Sequence, residues 1–204
     1  MGLICSMTWP EGHRLAFWQF EAAQDATLPE TWPAADALEY VRCAHKKRQH
    51  EWLASRWALR AGLEITEELL YAPSGKPRLA SQELSFSHCL PLAGVLVHPA
   101  NAGMDIQSNH PKLLKLKERF AHADELADAA ASSDELSYVT LLWSAKEALF
   151  KCYGEDLPFA EGIRIARFTV GQSELQAQVT HRGVSRAHAL RVFRVLNHWV
   201  VVAL

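Results

Sequence analysis

Four short segments of the 204-residue chain carry side chains whose types and spacing could do chemistry. The segment Trp143-Ser144-Ala145-Lys146-Glu147-Ala148-Leu149-Phe150-Lys151 sets a tryptophan, an acid and a base at i, i+4 and i+8. On a helix those three share one face. Leu142, Ala145, Leu149 and Phe150 cover much of the remaining surface. The helix is therefore expected to be mostly buried, with Glu147 and Lys151 on an inner stripe. Such a pair is either a functional acid and cation or an ordinary i,i+4 ion pair, worth roughly a few tenths of a kcal/mol. In Gly103-Met104-Asp105-Ile106-Gln107, strand alternation puts Asp105 and Gln107 on one face and Met104 and Ile106 on the other. A carboxylate in a strand that otherwise reads as buried is a metal ligand or a turn-capping acid. In the remaining two segments, Ser85-Phe86-Ser87-His88 follows Gly75-Lys76-Pro77. Ser87 and His88 can donate hydrogen bonds to a phosphate, and Lys76 is a point charge on a proline-restricted loop. A histidine at a strand end can equally be structural. No G-x-S-x-G elbow accompanies it, so a Ser-His-Asp hydrolase finds no support.

The elements that must position these residues are readable from periodicity and punctuation. Residues 13–21 alternate as a strand. A helical stretch follows from about Ala35 to Ala61, closed by Gly62, with Lys46, Lys47, Arg48, Arg56 and Arg60 making it basic. Residues 71–78 form a turn, and strands are expected over 84–89, 93–97 and 102–107. Residues 111–131 are helix-compatible, with Lys112, Lys115, Lys117 and Arg119 forming a basic stretch. A capping serine within Ser132-Ser133-Asp134-Glu135 opens the next helix, which runs to Gly154. Strands over 163–170, 189–195 and 198–203 close the chain, the last two joined at Leu196-Asn197. Strands grouped rather than alternating with helices predict an α+β fold. The halves are expected to divide after residue 107, into 1–107 and 108–204.

Composition sets the outer bounds. Apolar residues make up 49% and charged residues 22%, enough for a sizeable core. The net charge of −2 gives no basic field for nucleic acid, so an anionic ligand needs a local cluster of cations. Cys5, Cys43, Cys89 and Cys152 are too far apart for a C-x-x-C site and read as free thiols. No apolar run is long enough to cross a bilayer. The start Met1-Gly2-Leu3-Ile4-Cys5-Ser6 matches a myristoylation pattern only formally, and no signal peptide is expected, so the chain is expected to be cytoplasmic.

Taken in order, Gly-Lys-Pro at 75–77, Phe-Ser-His at 86–88, Gly-Met-Asp-Ile-Gln at 103–107 and Trp-x-x-Lys-Glu-Ala-x-x-Lys at 143–151 resemble the motifs of the Sfp-type 4′-phosphopantetheinyl transferases. Phe120 with Glu125 resembles the F-x-x-x-x-E stretch of that family, and Lys46–Arg60 its basic helix. The resemblance covers roughly residues 40–200. It implies two similar α+β halves in a pseudo-dimer, each with a small antiparallel sheet on a long helix, with coenzyme A and Mg²⁺ between the halves. It implies transfer of 4′-phosphopantetheine from coenzyme A to a serine of an apo acyl or peptidyl carrier protein, releasing adenosine 3′,5′-bisphosphate.

By that resemblance Asp105 and Glu147 hold Mg²⁺, and Glu147 or a water it orients is the base for the carrier serine. Lys151 neutralises charge on the transferring phosphoryl group, while Ser87 and His88 hold phosphate oxygens. Lys76, Arg56 and Arg48 grip the nucleotide. Many relatives carry a second acid two residues after the strand aspartate; here that position is Gln107, a ligand without charge. The implied enzyme is a monomer that needs neither nucleic acid nor membrane. Lys112, Lys115, Lys117 and Arg119 are candidates to face the carrier. A non-catalytic relative that binds coenzyme A or a carrier is the alternative reading.

Overall fold

The computed structural model describes residues 2–9, 12–100, 103–154 and 156–203, the side chain of residue 24 excepted. The chain folds into two units, Met1–Ala100 and Asn101–Leu204.

In the first unit the elements run β1 (Leu3–Thr8), β2 (Arg14–Gln19), α1 (Ala22–Asp25), α2 (Ala34–Arg42) and α3 (Lys46–Trp57), which continues into a π-helical turn over Ala58–Gly62. After them come β3 (Leu70–Tyr71), β4 (Pro77–Arg78), β5 (Glu83–Cys89) and β6 (Leu92–His98). The six strands pair antiparallel in the order β1-β2-β6-β5-β4-β3. α3 packs across β5 and β6. Trp52, Leu53 and Leu59 meet Trp18, Leu84, Val95 and Val97 in one core.

The second unit runs β7 (Gly103–Gln107), α4 (Lys112–Leu116), a 3₁₀ turn (Lys117–Arg119), α5 (Ala123–Ala130), α6 (Glu135–Tyr153), β8 (Ile163–Ile165), β9 (Glu174–His181), β10 (Val184–Val195) and β11 (His198–Ala203). Its antiparallel sheet has the order β7-β11-β10-β9-β8. α6 lies across β7, β11 and β8, with Val139, Leu142, Ala145 and Leu149 packed on Ile163, Val179, Leu190 and Val201. The α+β class therefore holds. No helix among the described residues is long and apolar enough to cross a membrane.

Several elements differ from their expected form, each for a physical reason. The chain divides after Ala100 rather than after Gln107, because β7 pairs with β11 from Gly103↔Ala203 to Gln107↔Trp199. Asp105 is thus a residue of the second unit. Ala102, the first residue of the expected 102–107 strand, lies outside the described residues. β9 escaped the sequence reading although its burial alternates strictly, with Leu175, Ala177 and Val179 inward. β10 starts at Val184 rather than 189, drawn out by its pairing with β9. The 111–131 stretch breaks at Phe120–His122, where His122 and Glu125 form a capping box that starts α5. The cap of α6 is Asp134, whose side chain accepts the Ser137 N–H at 3.0 Å, rather than a serine.

The expected helix over 35–61 breaks after Arg42, where Cys43 turns extended at φ −73°, ψ 99°. A continuous helix would hold residues 36 and 60 about 36 Å apart. Instead the chain folds back, so that Asp36 accepts from Arg60 Nε at 2.9 Å and Nη2 at 3.1 Å. Arg56 Nε stands 3.4 Å from Asp36 Oδ1, the oxygen that also accepts from Arg60 Nη2. Arg60 also donates to the carbonyls of Ile65 and Glu67, at 2.9 and 2.6 Å. Asp36 is 1% exposed, so deleting it takes the carboxylate partner from the buried Arg60, while Arg56 keeps Glu39. Asp36→Ala is expected to cost about 3 kcal/mol or more in urea unfolding; a loss below about 1 kcal/mol would show that the pair does not hold the two helices together.

Candidate functional site

The site in the second unit is built where β7 meets the C-terminal half of α6. Gly103 is what lets them meet. A Cβ there would collide with the Ala148 carbonyl and come within 2.8 Å of the Cys152 Cβ. The close approach brings Lys151 Nζ to 2.8 Å from Asp105 Oδ1 and 3.0 Å from the Met104 carbonyl. Asp105 is 6% exposed, and alternation sends its neighbours Met104 and Ile106 to the sheet's other face, both fully buried. α6 ends immediately afterwards at Gly154, in a positive-φ conformation (φ 102°) that suits glycine.

Glu147 stands one turn before Lys151. Its burial, and then the charge of Asp105, push its carboxyl above the ordinary glutamate range, while Lys151 pulls it back. Two carboxylates and one ammonium therefore share a small region. The stripe continues toward the helix start through Trp143, whose ring meets Phe120 at 5.0 Å and Phe159 at 5.3 Å. Gln107, half buried, turns its amide N–H to the Ser108 carbonyl at 3.3 Å.

The helix is rotated from the expected setting. Glu147 and Lys151 lie on a partly exposed stripe, and the innermost charge is Lys146, which is completely buried. Successive helical residues differ by about 100°, so 146 and 147 cannot share the inward direction. Lys146 Nζ sits 2.9 Å from Glu125 and 2.7 Å from the Ile163 carbonyl. Desolvation pulls its ammonium below the usual lysine range, and Glu125 opposes that. The Glu125 carboxylate also accepts the N–H groups of His122 and Ile165, each at 2.8 Å. It thereby joins α5, α6 and β8. The signal for Lys146 was present in the sequence: Leu142, Ala145 and Leu149 flank it at i−4, i−1 and i+3.

The residues expected to grip a nucleotide belong to the first unit. His88 Nε2 lies 4.0 Å and Arg48 Nη1 3.8 Å from the carboxylate of Glu51, which Lys47 also approaches at 3.8 Å. Glu51, absent from the sequence reading, is thus the hinge of that cluster. Ser87 is 5% exposed on the strand face opposite His88. Lys76 pairs with Glu83 at 3.4 Å.

Arg56 is placed differently from a free phosphate-binding cation. It is 3% exposed and donates to Glu39 Oε2 at 2.5 Å and to the Tyr71 hydroxyl at 2.8 Å. Its guanidinium stacks over the rings of Trp52 and Phe86, at 4.6 and 5.0 Å. Enclosed in this way, it works as an internal tie. The Tyr71 hydroxyl that it touches is pushed up to about 12, by burial first.

Among the described residues, no three His, Cys, Asp or Glu side chains form a metal cluster of their own. Asp105 and Glu147 do provide two hard oxygen donors side by side. That suits a divalent ion which keeps waters and shares its coordination with a substrate phosphate.

The raised Glu147 carboxyl carries a pH signature. A folded-state value above the unfolded 4.5 favours the folded protein at low pH, and that contribution is lost as pH rises through the raised value. Glu147→Gln is therefore expected to gain stability relative to the wild type between about pH 4 and about pH 7 in chelator-treated buffer. A melting-temperature difference that stays flat over that range would rule out the charge crowding.

In comparison with known proteins, residues 101–201 match the family model described as ACPS, the 4′-phosphopantetheinyl transferase superfamily. No curated protein matches the chain.

Proposed function

Because the chain belongs to the 4′-phosphopantetheinyl transferase superfamily through residues 101–201, we propose that it moves phosphopantetheine from coenzyme A to a serine of an apo acyl or peptidyl carrier protein, with Mg²⁺ as its metal. That the chain is a transferase of phosphopantetheinyl groups follows from the family; donor, metal and acceptor are our reading. The observation that carries it is the grouping of Asp105, Glu147 and Lys151, with Lys151 Nζ 2.8 Å from Asp105. An ammonium held against one carboxylate with a second close enough to feel its charge suits a cation and anionic oxygen.

In this reading Asp105 and Glu147 would hold Mg²⁺, with Gln107 or a water completing the set, and the ion would supply positive charge to the pyrophosphate of coenzyme A. The serine hydroxyl attacks the phosphorus bonded to the pantetheine oxygen, and the bond from that phosphorus to the adenosine-side phosphate breaks. The hydroxyl proton passes to Glu147, directly or through a water. Lys151 leaves Asp105 for, or shares it with, the oxygen that gains charge as adenosine 3′,5′-bisphosphate departs. No covalent enzyme intermediate is required, and positioning with electrostatics does the work. His88, Arg48 and Lys76 are proposed to hold the donor's phosphates, whereas Ser87, on the opposite face of β5, cannot reach them beside His88. Glu51 orients the first two, and Arg56 contributes only by fixing Phe86 next to Ser87.

The test is the intact mass of an apo-carrier protein after incubation with the chain, coenzyme A and Mg²⁺. A gain of one phosphopantetheinyl group is expected, falling by at least about a hundredfold in rate for Asp105→Ala and Glu147→Ala. Coenzyme A binding without any mass gain across acyl and peptidyl carriers would replace the transferase with a non-catalytic binder.

A further inference from the structure

Helix α2 is inverted relative to ordinary surface helices, which bury an apolar stripe and give their charges to water. Its inward positions carry Asp36, buried on Arg60, and Glu39, bonded to Arg56, Trp52 and Tyr71. Tyr40 packs its ring 5.8 Å from that of Trp52. Its outward positions carry Ala34, Ala37, Leu38 and Val41, spaced i, i+3, i+4 and i+7 as one stripe. Leu38 is 62% and Val41 74% exposed. On the flank, Tyr71 bonded to Glu39 and its neighbour Leu70 are each nearly half exposed. Folding stability does not account for this arrangement, since the reversed pattern would bury the apolar groups and hydrate the acids.

The end of the stripe supplies the polarity of its partner. Arg42 closes α2, and Lys46 and Lys47 open α3; all three are exposed, and the first turn of α3 contains no acid. An apolar strip with a cationic end fits a protein surface with an apolar centre and carboxylates on one side. We propose that this face docks the carrier protein that receives the phosphopantetheinyl group, with its apolar centre on Leu38 and Val41 and its carboxylates at Arg42 and Lys46. The proposal rests on the transferase reading above. The carrier is the favoured occupant because the face is tied to the strand expected to hold the donor. Glu39 bonds Arg56, Arg56 stacks on Phe86, and Phe86 immediately precedes Ser87 and His88 in β5. The other basic stretch offers charge without an apolar contact. There Lys117 is engaged by Glu135, and Leu113 is buried.

Calorimetric association of an apo-carrier with the full chain, at low and high salt, tests the docking face separately from turnover. Leu38→Asp and Val41→Asp are each expected to weaken association by about tenfold or more while leaving the KM for coenzyme A unchanged. Arg42→Glu should weaken it at low salt and much less at high salt. Wild-type protein that does not associate, variants that associate like wild type, or a loss produced instead by Lys115→Glu would each overturn the docking face. The mass gain of the carrier reads the other question. Association without transfer sinks the transferase reading and keeps the face, whereas transfer unaffected by the α2 variants does the reverse.

Discussion

A helix and a strand can approach within a side chain's thickness only where one of them has no side chain to interpose. Gly103 is that place in the second unit, and the rest of the site follows from it. With β7 drawn against α6, the strand's inward aspartate meets the ammonium of Lys151, and Glu147 is held close enough to feel both charges. A methyl group at 103 would push strand and helix apart at the point where the three side chains converge. The chemistry thus depends on a backbone contact that has no chemical function of its own.

The two units handle buried charge in different ways. In the first, Asp36 and Glu39 pair with Arg60 and Arg56, so a group of ions is neutralised internally and ties two helices together. In the second, Glu125 and Lys146 form a closed pair under α6, whereas Glu147 and Lys151 on the neighbouring stripe are partly exposed and meet the buried Asp105 of β7. Pairs fully enclosed in the interior and a charged group that reaches the surface through Glu147 and Lys151 are what distinguish scaffold from site here. A static pair of opposite charges is weak evidence for either role until its solvent contact is known.

That distinction explains which parts were legible in the sequence. Short apolar runs bounded by turn residues located β5, β6, β7 and β11, glycine marked the end of α6, and the motif spacing picked out Asp105, Glu147 and Lys151. Long-range pairing was not legible. Nothing within residues 35–61 announces that Asp36 must reach Arg60, so the fold-back between α2 and α3 was invisible, and Arg56 looked like a free cation. For the same reason β7 was assigned to the wrong side of the division, since its partner β11 lies at the far end of the chain. β9 and Lys146 had local signals, a period of two and an apolar surround, that were outweighed by more prominent neighbours.

The Glu125–Lys146 pair has a consequence for how such a chain can change over time. Each partner neutralises the other where water cannot, and the same carboxylate terminates two backbone N–H groups. Losing either partner alone leaves a bare ion in the interior, whereas exchanging both for apolar groups of similar volume need not destabilise the fold. Positions 125 and 146 should therefore drift together or not at all, so that each restricts the mutational paths open to the other and to the helix on which the neighbouring Glu147 stands.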